Sequence, residues 1–412
     1  GILRYPANWN FPSDKSRPRE KRPSRRTGRL VSPADPGIVS LLLSVVTLSE
    51  RGLRGHRLAS RAWLPARDFS DYSKYQIAFM SLSLVWWTFL MGLSLLGVAT
   101  VLTLTNVRSR YSCHRPSVSA ELPPEEAPGV SVLRPLKGVD NNLRENLVSL
   151  FRLQYPKFEL LFCVAEEADE AVGLVRTLMQ EVPEVHARLT IGAVDVGVNP
   201  KINNLIRSYE TATYDIIWIC DSNVLFADPG ALGRAVDLFG KPGVGLVHHL
   251  PVGVSPATLG SELELMFLNT MHAKMYLAIN KLRVRSCVIG KSNMYRRSVL
   301  NKVGGLRRFG NFMAEDNLIA TAIWNMGYRH EMTSDLAYQP LGAMTIVEYF
   351  LRRSRWTRIR KYTVTAATVV EPLTECFVCG LFAAYGFNLL WDVSPLLFLA
   401  GHVSVWLAID VT

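Results

Sequence analysis

The sequence predicts an α/β fold with a mostly parallel central sheet and helices that span a membrane at both ends. Three observations carry this. Near-continuous apolar runs alternate with helical patterns through the middle of the chain, the arrangement of a parallel sheet covered on both faces. Thirty residues from Gln76 to Thr105 contain no formal charge. From Pro372 onward the chain turns apolar again.

The first 70 residues form a Pro/Arg/Ser-rich basic arm. Of the net charge of +11 over 412 residues, positions 1–67 hold +10, from 14 Arg and Lys against four acids. The basicity therefore belongs to a segment whose composition predicts a disordered, solvated arm, with a membrane-surface role as the alternative. No nucleic-acid partner is expected. Residues 76–105 read as a transmembrane helix, since a bilayer core takes about 20 apolar residues. Arg61, Arg67 and Lys74 before it balance Arg108, Arg110 and Arg115 after it, so flanking charge sets no orientation. Residues 106–128 form a linker that ends Pro/Glu-rich.

A catalytic domain is expected over 129–345. Its strand-like runs are GVSVLRP (129–135), FELLFCV (158–164), ARLTIGAV (187–194), DIIWIC (215–220) and VGLVHH (244–249), with helical patterns such as 141–153 and 171–182 between them. Residues 346–371 read as an amphipathic helix region, and 373–412 as membrane segments broken near Trp391, Asp392 and Pro395. The chain opens on Gly1 and its last apolar segment stops at Thr412, so a longer parent sequence is expected. The six cysteines show no disulfide framework, which suits a reducing compartment, and Cys376–Cys379 reads as packing.

Three spaced aspartates followed by a basic-aromatic pentapeptide carry the chemistry. Asp221 ends the apolar run DIIWIC, where a carboxylate can bind a divalent cation bridging two phosphates. The chain reads Asp221-Ser222-Asn223 where Asp-x-Asp is common, so the third position offers a carbonyl oxygen without charge. A turn or helix-capping Asp is the alternative. Asp169 shares EEADEA with three other acids, and the sequence alone selects none of them. Asp316, after Glu315, opens an apolar-periodic helix, where acids are common for dipole and capping reasons alone. In Arg352-Arg353-Ser354-Arg355-Trp356, positions 352, 355, 356 and 359 fall on one helical face. Arg352 and Arg355 can then donate to one diphosphate while Trp356 packs under the sugar or the acceptor; a lipid-facing basic helix is the other reading. Lys201 and the two asparagines of PKINNL carry no obvious chemistry by themselves. His248 and His249 point to opposite faces of a strand and suit no shared ion. Absence of GxGxxG and P-loop patterns argues against a dinucleotide dehydrogenase or a P-loop NTPase.

PLKGVD (135–140), CVAEEAD (163–169), NPKINNL (199–205), WICDS (218–222), GLVHHLP (245–251), AEDN (314–317) and RRSRW (352–356), in this order, resemble the ceramide glucosyltransferase family. The resemblance runs from about Pro128 to the end. It implies an inverting GT-A domain that transfers glucose from UDP-glucose to ceramide with Mg2+ or Mn2+. It further implies Asp169 at the uridine, Asp221 at the metal, Asp316 as base, His248 on the acceptor side, and Lys201 near the nucleotide, where it meets a phosphate or plays a structural part. A multi-pass protein of the Golgi membrane, its catalytic domain facing the cytosol, is the implied setting. The alternatives are a processive cellulose- or hyaluronan-type polysaccharide synthase and a non-catalytic, membrane-tethered nucleotide-sugar-binding protein.

Overall fold

The computed structural model describes residues 115–411 except 141 and 284, with isolated positions at 82, 97, 101, 104, 105 and 111. The basic arm and nearly all of the charge-free run 76–105 lie outside the described residues. Contacts divide the chain into two units, Gly1–Ser83 and Leu84–Thr412, and the described strands all lie in the second.

Strand β1 (Val130–Leu136) leads through α1 (Leu143–Phe151) to β2 (Phe158–Val164), and α2 (Ala171–Glu181) leads to β3 (Ala187–Ile191). Then come α3 (Pro200–Thr211), β4 (Ile216–Cys220), α4 (Ala231–Asp237) and the long β5 (Val244–Pro256). A helical stretch succeeds it: α5 (Leu259–Phe267), a π turn (Leu268–His272) and α6 (Ala273–Leu282). Strand β6 (Ser292–Arg296), α7 (Arg297–Lys302), α8 (Glu315–Asn325) and β7 (Arg329–Gly342) complete the sheet. The C-terminal part is helical: α9 (Ile346–Thr363), α10 (Thr365–Val370), α11 (Cys376–Trp391) and α12 (Pro395–Val411).

The sheet order is β3-β2-β1-β4-β6-β5-β7. Strands β3, β2, β1 and β4 run parallel, as do β5 and β7. Strand β6 lies antiparallel to both β4 and β5, so the sheet is mixed. Helical crossovers allow the parallel half, since parallel neighbours need a connection long enough to cross the sheet. Alternation along each strand fills both faces. Val130, Val132, Phe162, Trp218 and Met294 pack into one core. Leu133, Leu161, Ile217, Ile219 and Tyr295 pack into the other. Each fully buried large apolar side chain contributes roughly 1.5–3 kcal/mol, which is why the runs read from sequence stay strands.

At the C-terminus the structure gives less than the sequence reading expects. Helices α11 and α12 hold 16 and 17 residues, and no described helix is long and apolar enough to cross a membrane. At 1.5 Å per residue they span roughly 25 Å, short of the ~30 Å hydrocarbon core. The reason lies in Asp392 and the turn before Pro395, which break the apolar stretch.

Candidate active site

The site forms where β4, the turn before β6 and the start of α8 meet. Asp221 comes directly after β4. Its carboxylate is bracketed by two ammoniums: Lys201 Nζ lies 2.8 Å from Oδ1 and Lys291 Nζ 3.4 Å from Oδ2. Lys201, in the first turn of α3, also reaches Glu315 Oε1 at 3.1 Å and donates to the Gly290 carbonyl at 3.4 Å. Burial raises the Asp221 carboxyl, but the two lysines outweigh it and hold the group below its ordinary value. Against burial, Asp221, Glu315 and Asp316 carry Lys201 well above its ordinary value. Burial lowers Lys291, Asp221 opposes, and nearby Arg352 and Lys201 deepen the fall.

The turn that carries Asp221 is built from below by Arg134. This fully buried side chain in β1 donates to Cys220 Sγ at 2.7 Å, the Ser222 carbonyl at 3.0 Å and the Val224 carbonyl at 2.6 Å. A buried charge costs several kcal/mol. Hydrogen bonds to a charged donor return roughly 1.5–3 kcal/mol each, so three of them offset that cost. Asn146 Nδ2 donates to the same Ser222 carbonyl at 3.1 Å.

Asp316, second residue of α8, lines a small cleft with Lys201, Gly290, Asn293, Tyr295 and Glu315. Burial, then the adjacent Glu315 carboxylate, pushes Asp316 up to about 7. Gly290 packs against it so closely that a Cβ there would fall 2.7 Å from Asp316 Oδ2. Glu315 is fixed separately, accepting from Asn199 Nδ2 at 2.9 Å while its other oxygen meets Lys201. Asn199 is also the N-cap of α3, accepting from the Lys201 and Ile202 amides. The asparagines of PKINNL are thus structural: Asn203 ties the Val196–Gly197 loop, and Asn204 bridges the carbonyls of Leu136 and Cys163.

Asp169 lies in the loop after β2. Its carboxylate accepts from the Gly138 amide at 3.0 and 2.9 Å and from the Ala171 amide at 2.9 Å, joining the loops after β1 and β2. The histidines face apart. His248 Nδ1 meets the Tyr276 hydroxyl at 2.5 Å, whereas His249 stacks on Trp218 and meets Ser292 Oγ at 2.8 Å. Burial lowers His249 to about 4, which leaves it neutral.

Helix α9 starts with a capping box, Thr345 and Glu348 each accepting from the other's amide. Arg352 Nε lies 2.9 Å and Arg353 Nη2 3.0 Å from Glu264 Oε1, a fully buried carboxylate of α5. The Arg352 contact is an ion pair without a hydrogen bond. Arg353 also stacks on Phe267, 3.9 Å from the ring centroid. Arg355 is exposed, a departure from the shared face expected from spacing. The covered stripe runs Tyr349, Arg352, Arg353, Trp356, Arg360, and Arg355 sits about 60° beyond Arg352 at 3.6 residues per turn. Arg353 takes the place beside Arg352 that spacing assigns to Arg355. The Trp356 indole N–H is buried without a hydrogen-bond partner among the described residues, a donor that a ligand can satisfy.

Sequence reasoning misses Lys291. A lysine in VIGKSN carries no signal by itself; only pairing of β6 with β4 sets it opposite Asp221. Among the described residues no three His, Cys, Asp or Glu side chains cluster to hold a metal. The oxygens of Asp221 and Asn223 nonetheless converge on one positive charge, since Lys291 Nζ lies 3.4 Å from the first and donates to Asn223 Oδ1 at 3.1 Å. These two oxygens are the kind that would hold a hard divalent cation.

A family model described as Glycosyl transferase family 21 matches residues 89–412. The ceramide glucosyltransferase of Komagataella phaffii is 38% identical, over 70% of this chain and 68% of that protein. Ceramide glucosyltransferase 1 of Caenorhabditis elegans is 35% identical, over 73% of this chain and 64% of that protein. The chain therefore spans about two thirds of the length of these relatives. Among solved structures, the mannosyltransferase PcManGT from Pyrobaculum calidifontis, in complex with GDP-Man and Mn2+, aligns at a TM-score of 0.47 and 17% identity, over 79% of this chain and 87% of that one. The family model's reach from residue 89 to the last residue, together with the Komagataella likeness, shows that the chain belongs to glycosyl transferase family 21.

Proposed function

We propose that this chain carries the catalytic part of a ceramide glucosyltransferase, moving glucose from UDP-glucose to the primary hydroxyl of ceramide with inversion. The observation that carries it is the placement of Asp316 in one cleft with Lys201, whose ammonium also pairs with Asp221, in a chain of this family. Asp316 takes the proton of the acceptor hydroxyl. The hydroxyl oxygen forms its bond to the anomeric carbon as the bond to the UDP oxygen breaks, in one displacement. Lys201, Lys291 and Arg352 face the negative charge that gathers on the departing diphosphate. Asp221 and Asn223 would hold a divalent cation, which when bound adds Lewis-acid charge at that diphosphate.

Asp169 is assigned to the uridine end, where it already binds the backbone of the β1 loop. Trp356 is assigned beneath the sugar, through its unpartnered indole N–H. Arg355 would join Arg352 at the diphosphate only by folding back over the helix, and His248 stands on the acceptor side through Tyr276. The domain is of the GT-A type in this reading.

A lipid acceptor calls for a membrane setting, and the charge-free run 76–105 with exposed Phe377, Leu381, Leu396 and Leu397 supports attachment to a bilayer. The setting proposed is the Golgi membrane, multi-pass, with the catalytic domain facing the cytosol. Free thiols at Cys163, Cys220 and Cys287 agree with that reducing side. A microsomal assay offering several UDP-sugars and lipid acceptors, with the product identified by mass, tests the activity. Glucosylceramide as the dominant product is expected; a growing polysaccharide, or no transfer, defeats the proposal. Protease protection of intact vesicles checks the orientation.

A further inference from the structure

We propose that Lys291 is a built-in counter-cation. It competes with the divalent ion for Asp221 and Asn223, and turns to the donor diphosphate once that ion is seated. The inference rests on the nucleotide-sugar reading of the site.

Backbone geometry, not side-chain reach, puts Lys291 there. The β4–β6 ladder pairs Cys220 with Ser292, so the next pair outward is Asp221 with Lys291, and the Asp221 amide donates to the Lys291 carbonyl at 2.9 Å. Opposed residues in such a ladder have Cβ atoms about 5 Å apart. From that position Nζ takes one oxygen of Asp221 at 3.4 Å and the Asn223 oxygen at 3.1 Å. These are the same oxygens a metal ion needs.

The two lysines differ in what holds them. Lys201 has Glu315 and the Gly290 carbonyl in addition to Asp221, so it keeps partners when the aspartate is taken. The partners of the Lys291 ammonium among the described residues are Asp221 and Asn223. An ion that binds those oxygens displaces it. The pinned backbone keeps the freed ammonium inside the site, where the incoming diphosphate is the complementary charge. Ion entry is therefore an exchange of one cation for another, weak without donor and strengthened by it.

The test is Mn2+ titration of the full chain in detergent, with free Mn2+ read from its electron paramagnetic resonance signal and no acceptor present. Lys291→Met is expected to bind Mn2+ about tenfold tighter than the unaltered chain, the size of effect expected from removing one competing ion pair. Lys291→Gln should behave alike, and Lys291→Arg, which keeps the charge, should bind as the unaltered chain does. Adding UDP should tighten Mn2+ more in the unaltered chain than in Lys291→Met. Adding Asp221→Asn to Lys291→Met should abolish the gain. Equal or weaker Mn2+ binding by both Lys291→Met and Lys291→Gln, shown folded by their melting curves, overturns the proposal, as does a gain that survives Asp221→Asn. Failure of Mn2+ to bind any form also overturns it. Product mass in the microsomal assay reads the glucosyl-transfer proposal separately.

Discussion

Burial, and then the adjacent Glu315 carboxylate, push the Asp316 carboxyl up to about 7. In the proposed role of general base Asp316 must be deprotonated, so kcat/KM is expected to fall tenfold per pH unit below about 7. Asp316→Asn should remove that limb and lower kcat by about 10²–10⁴-fold, with UDP binding nearly intact. The stability consequence has the opposite sign. A carboxyl whose native value is raised favours its neutral form, so its contribution is complete at low pH and fades as pH rises through about 7. Asp316→Asn should therefore melt higher than the unaltered chain at pH 8, with the gap closing below pH 4. Retention of more than a third of kcat would defeat the assignment. Gly290 gives an independent handle on the same carboxylate. A Cβ at that position falls 2.7 Å from Asp316 Oδ2, so one group must move. A shift near 1 Å in a reacting group costs about 10²-fold, so Gly290→Ala should slow turnover by that order while UDP affinity holds.

On the scale of elements, α9 is positioned by one buried acid. Glu264 anchors both Arg352 and Arg353, and removing one partner of a buried pair costs about 3–5 kcal/mol. Glu264→Gln should lower the melting temperature and weaken UDP binding together. Arg355→Ala and Arg358→Ala, both on the exposed side, should leave the melting temperature unchanged. A UDP affinity that drops for Arg355→Ala but not for Arg358→Ala would restore Arg355 to the diphosphate; equal behaviour leaves Arg352 as the working arginine. The same helix shows what sequence can carry. Apolar runs such as FELLFCV and DIIWIC are legible because both faces of those strands are buried, and Asp221 is legible as the residue that ends such a run. Strands β6 and β7 are not legible. SNMYR is short and polar, and RHEMTSDLAYQPLG alternates without an apolar run, because its buried positions include His330, Glu331, Thr333 and Asp335. Without β6 there is no way to see Lys291. Helical spacing groups Arg352 with Arg355, but the direction of the buried stripe is set by Glu264 on another element.

For the whole molecule, charge and family likeness occupy different parts of the chain. Positions 1–67 hold +10 of the +11, and the family match begins at residue 89. Deleting 1–67 should leave specific activity in membranes unchanged; a truncated chain that stays membrane-bound but loses transfer would make the arm part of the machinery. The antiparallel placement of β6 also bears on how the protein is made. Strands β1 to β4 lie side by side and can pair as they leave the ribosome. Asp221 follows the end of β4 at the edge of this parallel half, and β6, made later, takes its place between β4 and β5. A growing chain thus carries Asp169 and Asp221 before it carries Lys291 or Asp316, so the proposed base would join the cleft only after the parallel half of the sheet has been made.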